Sequence, residues 1–318
     1  MPVSRILVHN AEGGFEEAPD VESISNLLRD PRHVVWLDIQ DPTQDDIELL
    51  KREFDFHDLA LEDVITRGER PKIERYDDWY FIVFYAVRPG RTDEINLFVG
   101  EGFLVTVHLG EVPEIAETAA RWRRNADRMG GGVAVPVYSL LDAIVDGYFP
   151  LTDDIAEQVE ALEDQLFQPH VVNRQAEVFK LKRTLLELRR VVAPEREVLN
   201  VLIRRDDPIL GEQTIVYFQD IYDHLIRVLD TVDLYRDHLS GLLEVNLAVV
   251  SNRLNDVVKR MTALSTILMS VNLVASNYGM NFETMPELRQ EYGYLFALGL
   301  MVLVGVVLTL VFKRIDWL

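Results

Sequence analysis

The sequence predicts an α/β cytoplasmic domain followed by long stalk helices and two C-terminal transmembrane helices. Three observations carry this. Short β-rich runs alternate with helical pieces as far as a glycine cluster at 130–132. From Pro208 to Pro286 no further proline intervenes, and between Gly211 and Gly279 the only glycine is Gly241. Finally, two uncharged runs stand close together at the C-terminal end, one from Met261 to Tyr278 and the other from Tyr292 to Phe312.

Residues 1 to about 130 supply the α/β part. The β-rich runs are RILVHN (5–10), VVWLDI (34–39), WYFIVFYAV (79–87) and INLFVGEGFLVTVHL (95–109), the last with a Gly-Glu-Gly turn inside it. Helical pieces such as QDDIELLKREF and EIAETAARWRRNADRM lie between or after them. Residues 131–210 change character to helix-forming acidic segments, in which Pro150, Pro169 and Pro194 are the expected breaks or kinks. From about Thr214 to Tyr278 the pattern predicts one helix roughly 100 Å long, sensible only if it leaves the cytoplasm and enters a membrane.

The second uncharged run, 292–312, would span about 31 Å, the thickness of a bilayer core. Met261–Tyr278 is also uncharged but carries Thr262, Ser265, Thr266, Ser270, Asn272, Ser276 and Asn277. That makes it a poor lipid-facing helix and a candidate pore-facing one. Basic pairs at Lys259–Arg260 and Lys313–Arg314 place both termini, and the 313–318 tail, in the cytoplasm, and put 279–291 outside. The N-terminus has no long apolar stretch, so no cleaved secretory signal is expected.

Within the first span Asn255, Val258, Thr262, Ser265, Met269, Asn272 and Ser276 recur at steps of 3 and 4, the seam of a helix in a parallel, slightly supercoiled bundle. Leu264, Ile267, Val271 and Val274 form the opposite face. Two spans per chain cannot enclose a channel, so a pore requires several copies, and each asparagine then becomes a ring of amides. Neutral carbonyl oxygens suit Mg²⁺ held through its own water, and weak binding lets the ion leave. Zinc prefers imidazole or thiolate, and neither span contains His or Cys.

Composition narrows the classes further. With 53 acidic against 32 basic residues the formal charge is −21, which favours cations as partners over nucleic acid or anionic lipid. No cysteine is present, so disulfides and thiolate chemistry are excluded. No phosphate-binding glycine loop is visible, and no H-E-x-x-H spacing or nucleophile–base pair marks an enzyme, so neither a nucleotide nor catalysis is expected. Inward movement of a divalent cation needs no nucleotide, because it gains about 4.6 kcal/mol per 100 mV of membrane potential.

YGMNFETMPEL, with Gly279-Met280-Asn281 between the two spans, resembles the CorA family of magnesium transporters, whose hallmark is Gly-Met-Asn at the outer pore mouth. YDHLIRVLDTVDLYRDHLSGLLEVNLAVVSNRLNDVV, LEDVITRGERPKIERYDDWYFIV and YSLLDAIVDGYFPLTDDI extend the resemblance over nearly the whole chain. It implies a funnel-shaped homopentamer in the cell's inner (plasma) membrane that carries Mg²⁺, with Co²⁺ or Ni²⁺ as further cargo, and is gated by cytoplasmic Mg²⁺. It also implies that Asn281 forms the outer selectivity ring, shaped by Gly279 and Met280, and that Asn255, Val258, Met261, Met269 and Asn272 line the pore. The resemblance thus picks Met261 where the strict seam picks Thr262. Regulatory Mg²⁺ would fall at Asp220 and at Asp78, with Asp77 beside it. Many members carry proline near the position of Ser270 and threonine at that of Asn272, and this sequence departs at both. Glu283, Glu287 and Glu291, against Arg289 alone, would concentrate cations at the mouth. Two other readings stay open: a zinc transporter of the same superfamily, and a membrane-anchored coiled-coil scaffold.

Overall fold

The computed structural model describes residues 3–10, 14–17, 24–30, 32–129, 132–166, 174–204, 209–280 and 291–318. Contacts divide the chain into two units, Met1–Ser240 and Gly241–Leu318.

The first unit is built on a mixed seven-stranded sheet. Its strands are β1 (Val3–Asn10), β2 (Gly14–Glu17), β3 (His33–Gln40), β4 (Lys72–Arg75), β5 (Trp79–Arg88), β6 (Arg91–Gly100) and β7 (Phe103–His108), in the order β2-β1-β3-β7-β6-β5-β4. Every pairing is antiparallel except β3 with β7. The turns follow from local chemistry. Arg88 pairs with Arg91 across Pro89-Gly90, and Gly100 with Phe103 across Glu101-Gly102, so both hairpins close with two residues. Gly90 and Gly102 take φ of 74° and 90°, which a side-chain-bearing residue resists.

The strands bury both faces. Val35, Leu37, Ile39, Phe81, Val83, Val105 and Val107 pack with Ile47 and Leu50 of α2 (Gln44–Phe54) and with Leu61 and Val64 of α3 (Asp58–Thr66). A short α1 (Ile24–Leu27) adds Ile24 to this layer. Thr43 caps α2 through a reciprocal pair with Asp46, satisfying two backbone donors that would otherwise be orphaned. The opposite face carries α4 (Pro113–Met129), α5 (Ala134–Asp146), α6 (Tyr148–Leu166) and α7 (Gln175–Arg204). There Trp122 of α4 meets Trp36 of β3 at 5.9 Å between ring centroids.

Two of the three prolines expected as breaks or kinks lie in described helices. Pro150 lies in the first turn of α6, where no intrahelical N–H bond is lost, and Pro194 lies inside α7, which continues past it. Pro169 lies outside the described residues. The two strands absent from the sequence reading, β2 and β4, are four-residue strands at the sheet's two edges.

After a 3₁₀ turn at Glu212–Thr214, α8 runs unbroken from Ile215 to Tyr278. Its 64 residues correspond to about 96 Å at 1.5 Å per residue. In the first unit Phe218, Ile221, Leu225, Val228, Leu229 and Val232 are buried at helical spacing. Arg189 of α7 bonds Asp233 at 2.9 Å, and Lys182 bonds Ser240 at 2.8 Å, fixing α7 to α8. The second unit contains the rest of α8 and α9 (Gly293–Arg314). Both helices are long and apolar enough to cross a membrane.

Candidate metal centre and membrane-helix face

Asp220 is the expected regulatory residue with the most developed surroundings. On α8 it stands one turn before His224, and α5 brings Asp142 against both. These three side chains each offer one ligand atom, all within 4.8 Å of one another. Nε2 of His224 is 3.9 Å from Asp220 and Nδ1 is 3.8 Å from Asp146, one turn beyond Asp142. That Nδ1 is buried and has no hydrogen-bond partner. The ring is held edge-on by Phe149 of α6, 5.4 Å between centroids. Burial, then repulsion from Asp146, pushes the Asp142 carboxyl up to about 6. A crowded set of carboxylates with an imidazole is a site where a divalent cation would relieve repulsion that the protein leaves in place.

Sequence reasoning named Asp220 and missed Asp142, Asp146 and His224. The signal was present as two i, i+4 pairs, Asp142/Asp146 and Asp220/His224, each on one helix face. Asp77 and Asp78 are not in this cluster. They form the two-residue tip of the β4–β5 hairpin, closed by the Tyr76 N–H donating to the Trp79 carbonyl at 2.9 Å, and both are exposed.

In the second unit the two faces of α8 separate from Ala263 onward. Ala263, Thr266, Ile267, Ser270, Val271, Val274 and Tyr278 are buried or half-buried, and a β-carbon added at Gly305 of α9 would lie 3.8 Å from Val271 Cγ2. Of the opposite-face residues, Ile267, Val271 and Val274 are half-buried, with Val271 close to α9 at Gly305. Leu264 remains exposed. Asn255, Val258, Met261, Met269 and Asn272 are all exposed, with Met269 at 74% and Met261 at 65%, although every residue from 251 to 262 is exposed and a distinct face begins only at Ala263. Thr262 and Thr266 spend their hydroxyls on carbonyls one turn back, 2.8 Å each, so those polar groups are satisfied within the helix. Ser276 donates to Asn272 Oδ1 at 3.4 Å, a bond that does not use the Asn272 amide nitrogen. Gly279 ends the helix by donating to the Ala275 carbonyl at 3.0 Å, and Met280 follows exposed. Glu291 is exposed before α9, while Asn281, Glu283 and Glu287 lie outside the described residues.

An α/β unit followed by a 64-residue helix and a second helix of 22 residues, both long and apolar enough to cross a membrane, is the architecture of a membrane protein. The family model for CorA-like Mg²⁺ transporter proteins matches residues 31–314, and the chain belongs to that family, one of transporters and not of enzymes. The cobalt/magnesium transport protein CorA of Thermotoga maritima is 34% identical over 308 residues, covering 94% of this chain and 87% of that protein. The putative metal ion transporter YfjQ of Bacillus subtilis is 37% identical over 286 residues, covering 89% of each. The complete structure of the CorA magnesium transporter from Methanocaldococcus jannaschii superposes with a TM-score of 0.84 over 100% of both chains, at 20% identity.

Proposed function

We propose that this protein is a channel-like transporter that admits Mg²⁺, with Co²⁺ and Ni²⁺ as further cargo, driven by membrane potential and closed by cytoplasmic Mg²⁺. The observation that carries the reading is the exposed seam of α8, polar or flexible at Asn255, Met261, Met269 and Asn272, in a chain of the CorA-like family. Several copies, five by family resemblance, turn this seam into a pore lining. An amide such as Asn272 or Asn281 meets the ion through its water shell, because Mg²⁺ dehydrates reluctantly and neutral oxygens hold it weakly enough to release it. Val258 narrows the cytoplasmic end by excluding water. The glutamates at 283, 287 and 291 raise the local cation concentration outside, with both termini on the cytoplasmic side of the plasma membrane. Asp220, with Asp142 and His224, senses the cytoplasmic ion, and Asp77 and Asp78 offer carboxylates to a second copy. Losing the bound ion restores carboxylate repulsion and favours separation of the subunits.

The test is flux into liposomes containing the purified protein, with a potassium diffusion potential set inside-negative and a pH gradient imposed in a parallel arm. Mg²⁺ entry is expected to rise with the potential and to ignore the pH gradient. Zinc entry that follows the pH gradient, without Mg²⁺ entry, overturns the reading.

A further inference from the structure

A hydroxyl on a membrane-length helix has the carbonyl one turn back within easy reach. Thr262, Thr266 and Ser270 of α8 and Thr309 of α9 all donate to that carbonyl, at 2.7–2.8 Å. Ser276 departs from the pattern and donates to the side-chain Oδ1 of Asn272, 3.4 Å away. Both residues are exposed, one turn apart on the same face, in the last turns of α8 before it ends at Tyr278.

This choice of acceptor fixes what the two side chains can still offer. A serine has one hydroxyl proton, so with that proton on Asn272 the Ser276 oxygen presents only lone pairs. Asn272 Oδ1 keeps one acceptor position, and Nδ2 keeps both N–H groups, for which no acceptor is found among the described residues. Amide N–H groups in hydrocarbon are costly without an acceptor. When copies of α8 gather around an axis, every Ser276 lies one turn above the level of Asn272, and its oxygen is an acceptor with no proton left to give.

We propose that Ser276 is a positioning residue for ion selection. It holds Asn272 so that the amide N–H reaches sideways to Ser276 of the partner subunit and the free lone pair of Oδ1 faces the axis. This role rests on the pore reading above and gives the pore a basis for discrimination. Mg²⁺ keeps a near-octahedral shell of water and sheds it reluctantly, whereas Ca²⁺ accepts a variable set of about six to eight oxygens in flexible geometry. Oxygens tied at fixed positions match the first shell and mismatch the second, so the tie works mainly by rejecting Ca²⁺. An untied amide would turn to fit either ion.

The experiment reads Mg²⁺ and Ca²⁺ entry into liposomes holding the full-length protein, under one inside-negative potassium diffusion potential. A magnesium-sensitive dye fills one set and a calcium-sensitive dye the other. Wild type is expected to admit Mg²⁺ and little Ca²⁺. In Ser276→Ala, a change that favours helix, Ca²⁺ entry relative to Mg²⁺ should rise about fivefold, the worth of one neutral hydrogen bond. Asn272→Thr removes the acceptor and sends the new hydroxyl to the backbone, as at Thr262, and should raise the ratio by the same factor. Adding Ser276→Ala to it should raise the ratio no further, because the two residues act as one. A ratio unchanged in Ser276→Ala, or two factors that multiply in the double variant, overturns the proposal and leaves Mg²⁺ transport standing. Loss of Mg²⁺ entry in the variants with no gain of Ca²⁺ entry marks Ser276 as merely structural and overturns it too. No Mg²⁺ entry in wild type overturns the transport reading, and this role with it.

Discussion

Asp220 has a side chain 61% exposed, and an exposed aspartate taken alone is a solvated surface charge. Its neighbours change that. Asp142 and His224 converge on it from α5 and from the next turn of α8, and the orphaned Nδ1 of His224 shows that the cluster is not internally satisfied. Asp220→Lys places an ammonium beside His224 and Asp142, which satisfies Asp142 while removing a ligand. Mg²⁺ is therefore expected to lose most of its ability to protect the purified protein from limited proteolysis, with the metal-free cleavage rate little changed. A wild-type degree of Mg²⁺ protection in the variant would take Asp220 out of the sensing role. At this scale the sequence was half legible. Asp220 came from resemblance, and Asp142 stayed hidden because nothing in a linear reading pairs α5 with the start of α8 across some eighty residues.

Elements were easier to read than contacts, because periodicity within one segment is local and packing between segments is not. Beyond Ala263, the 3-4 repeat of α8 runs along exposed Ser265, Met269, Asn272 and Ser276, with Ile267, Val271 and Val274 half-buried. The repeat could not tell lipid from α9 as the neighbour of Val271, since both present hydrocarbon. The edge strands β2 and β4 were missed for a related reason: four residues pairing on one side carry little pattern. Within the α/β unit, Glu195 of α7 joins three elements and was legible in no pattern at all. It is wholly buried, accepts from the Tyr85 N–H of β5 at 3.0 Å and lies 3.0 Å from the Tyr148 hydroxyl of α6. That hydroxyl is also 2.5 Å from the Tyr85 carbonyl. One phenolic proton cannot serve both acceptors, so a protonated Glu195 completes the set by donating to Tyr148 while Tyr148 donates to Tyr85. Burial pushes the Glu195 carboxyl up to about 8 from an ordinary 4.5, opposed only in part by the Tyr85 and Tyr148 bonds. Between those values the folded chain holds a proton that the unfolded chain lacks. The stabilisation is complete below about 4.5 and is lost as pH rises through about 8, by on the order of 5 kcal/mol. The thermal midpoint in detergent should therefore fall by several degrees between pH 5 and 8. Glu195→Gln supplies the same donor and acceptor without titrating, and its midpoint should be flatter across that range; a slope equal to wild type would remove Glu195 as the source.

At the scale of the whole molecule, the exposed seam and the charge balance set different demands. Met261, Met269 and Asn272 are exposed on a single pair of spans, and in the proposed assembly neighbouring copies of α8 would shelter them from lipid. Amides in hydrocarbon are costly without partners, so the assembly has a drive of its own. Against this, each copy brings a formal −21, and repulsion between copies grows as they gather. In the proposed assembly, divalent cations bound at carboxylates between copies would offset that repulsion, which would make assembly and cation binding two sides of one equilibrium. Native mass spectrometry of the 36.6 kDa chain from detergent should then give a pentamer near 183 kDa, five times the subunit mass. The pentamer should persist with Mg²⁺ present and dissociate more readily when Mg²⁺ is chelated at low salt, where charge is least screened. Raising NaCl without Mg²⁺ should restore part of the assembly by screening alone. A monomer or dimer under all of these conditions could not enclose a pore with one seam per chain, and would return the long helix to the scaffold reading.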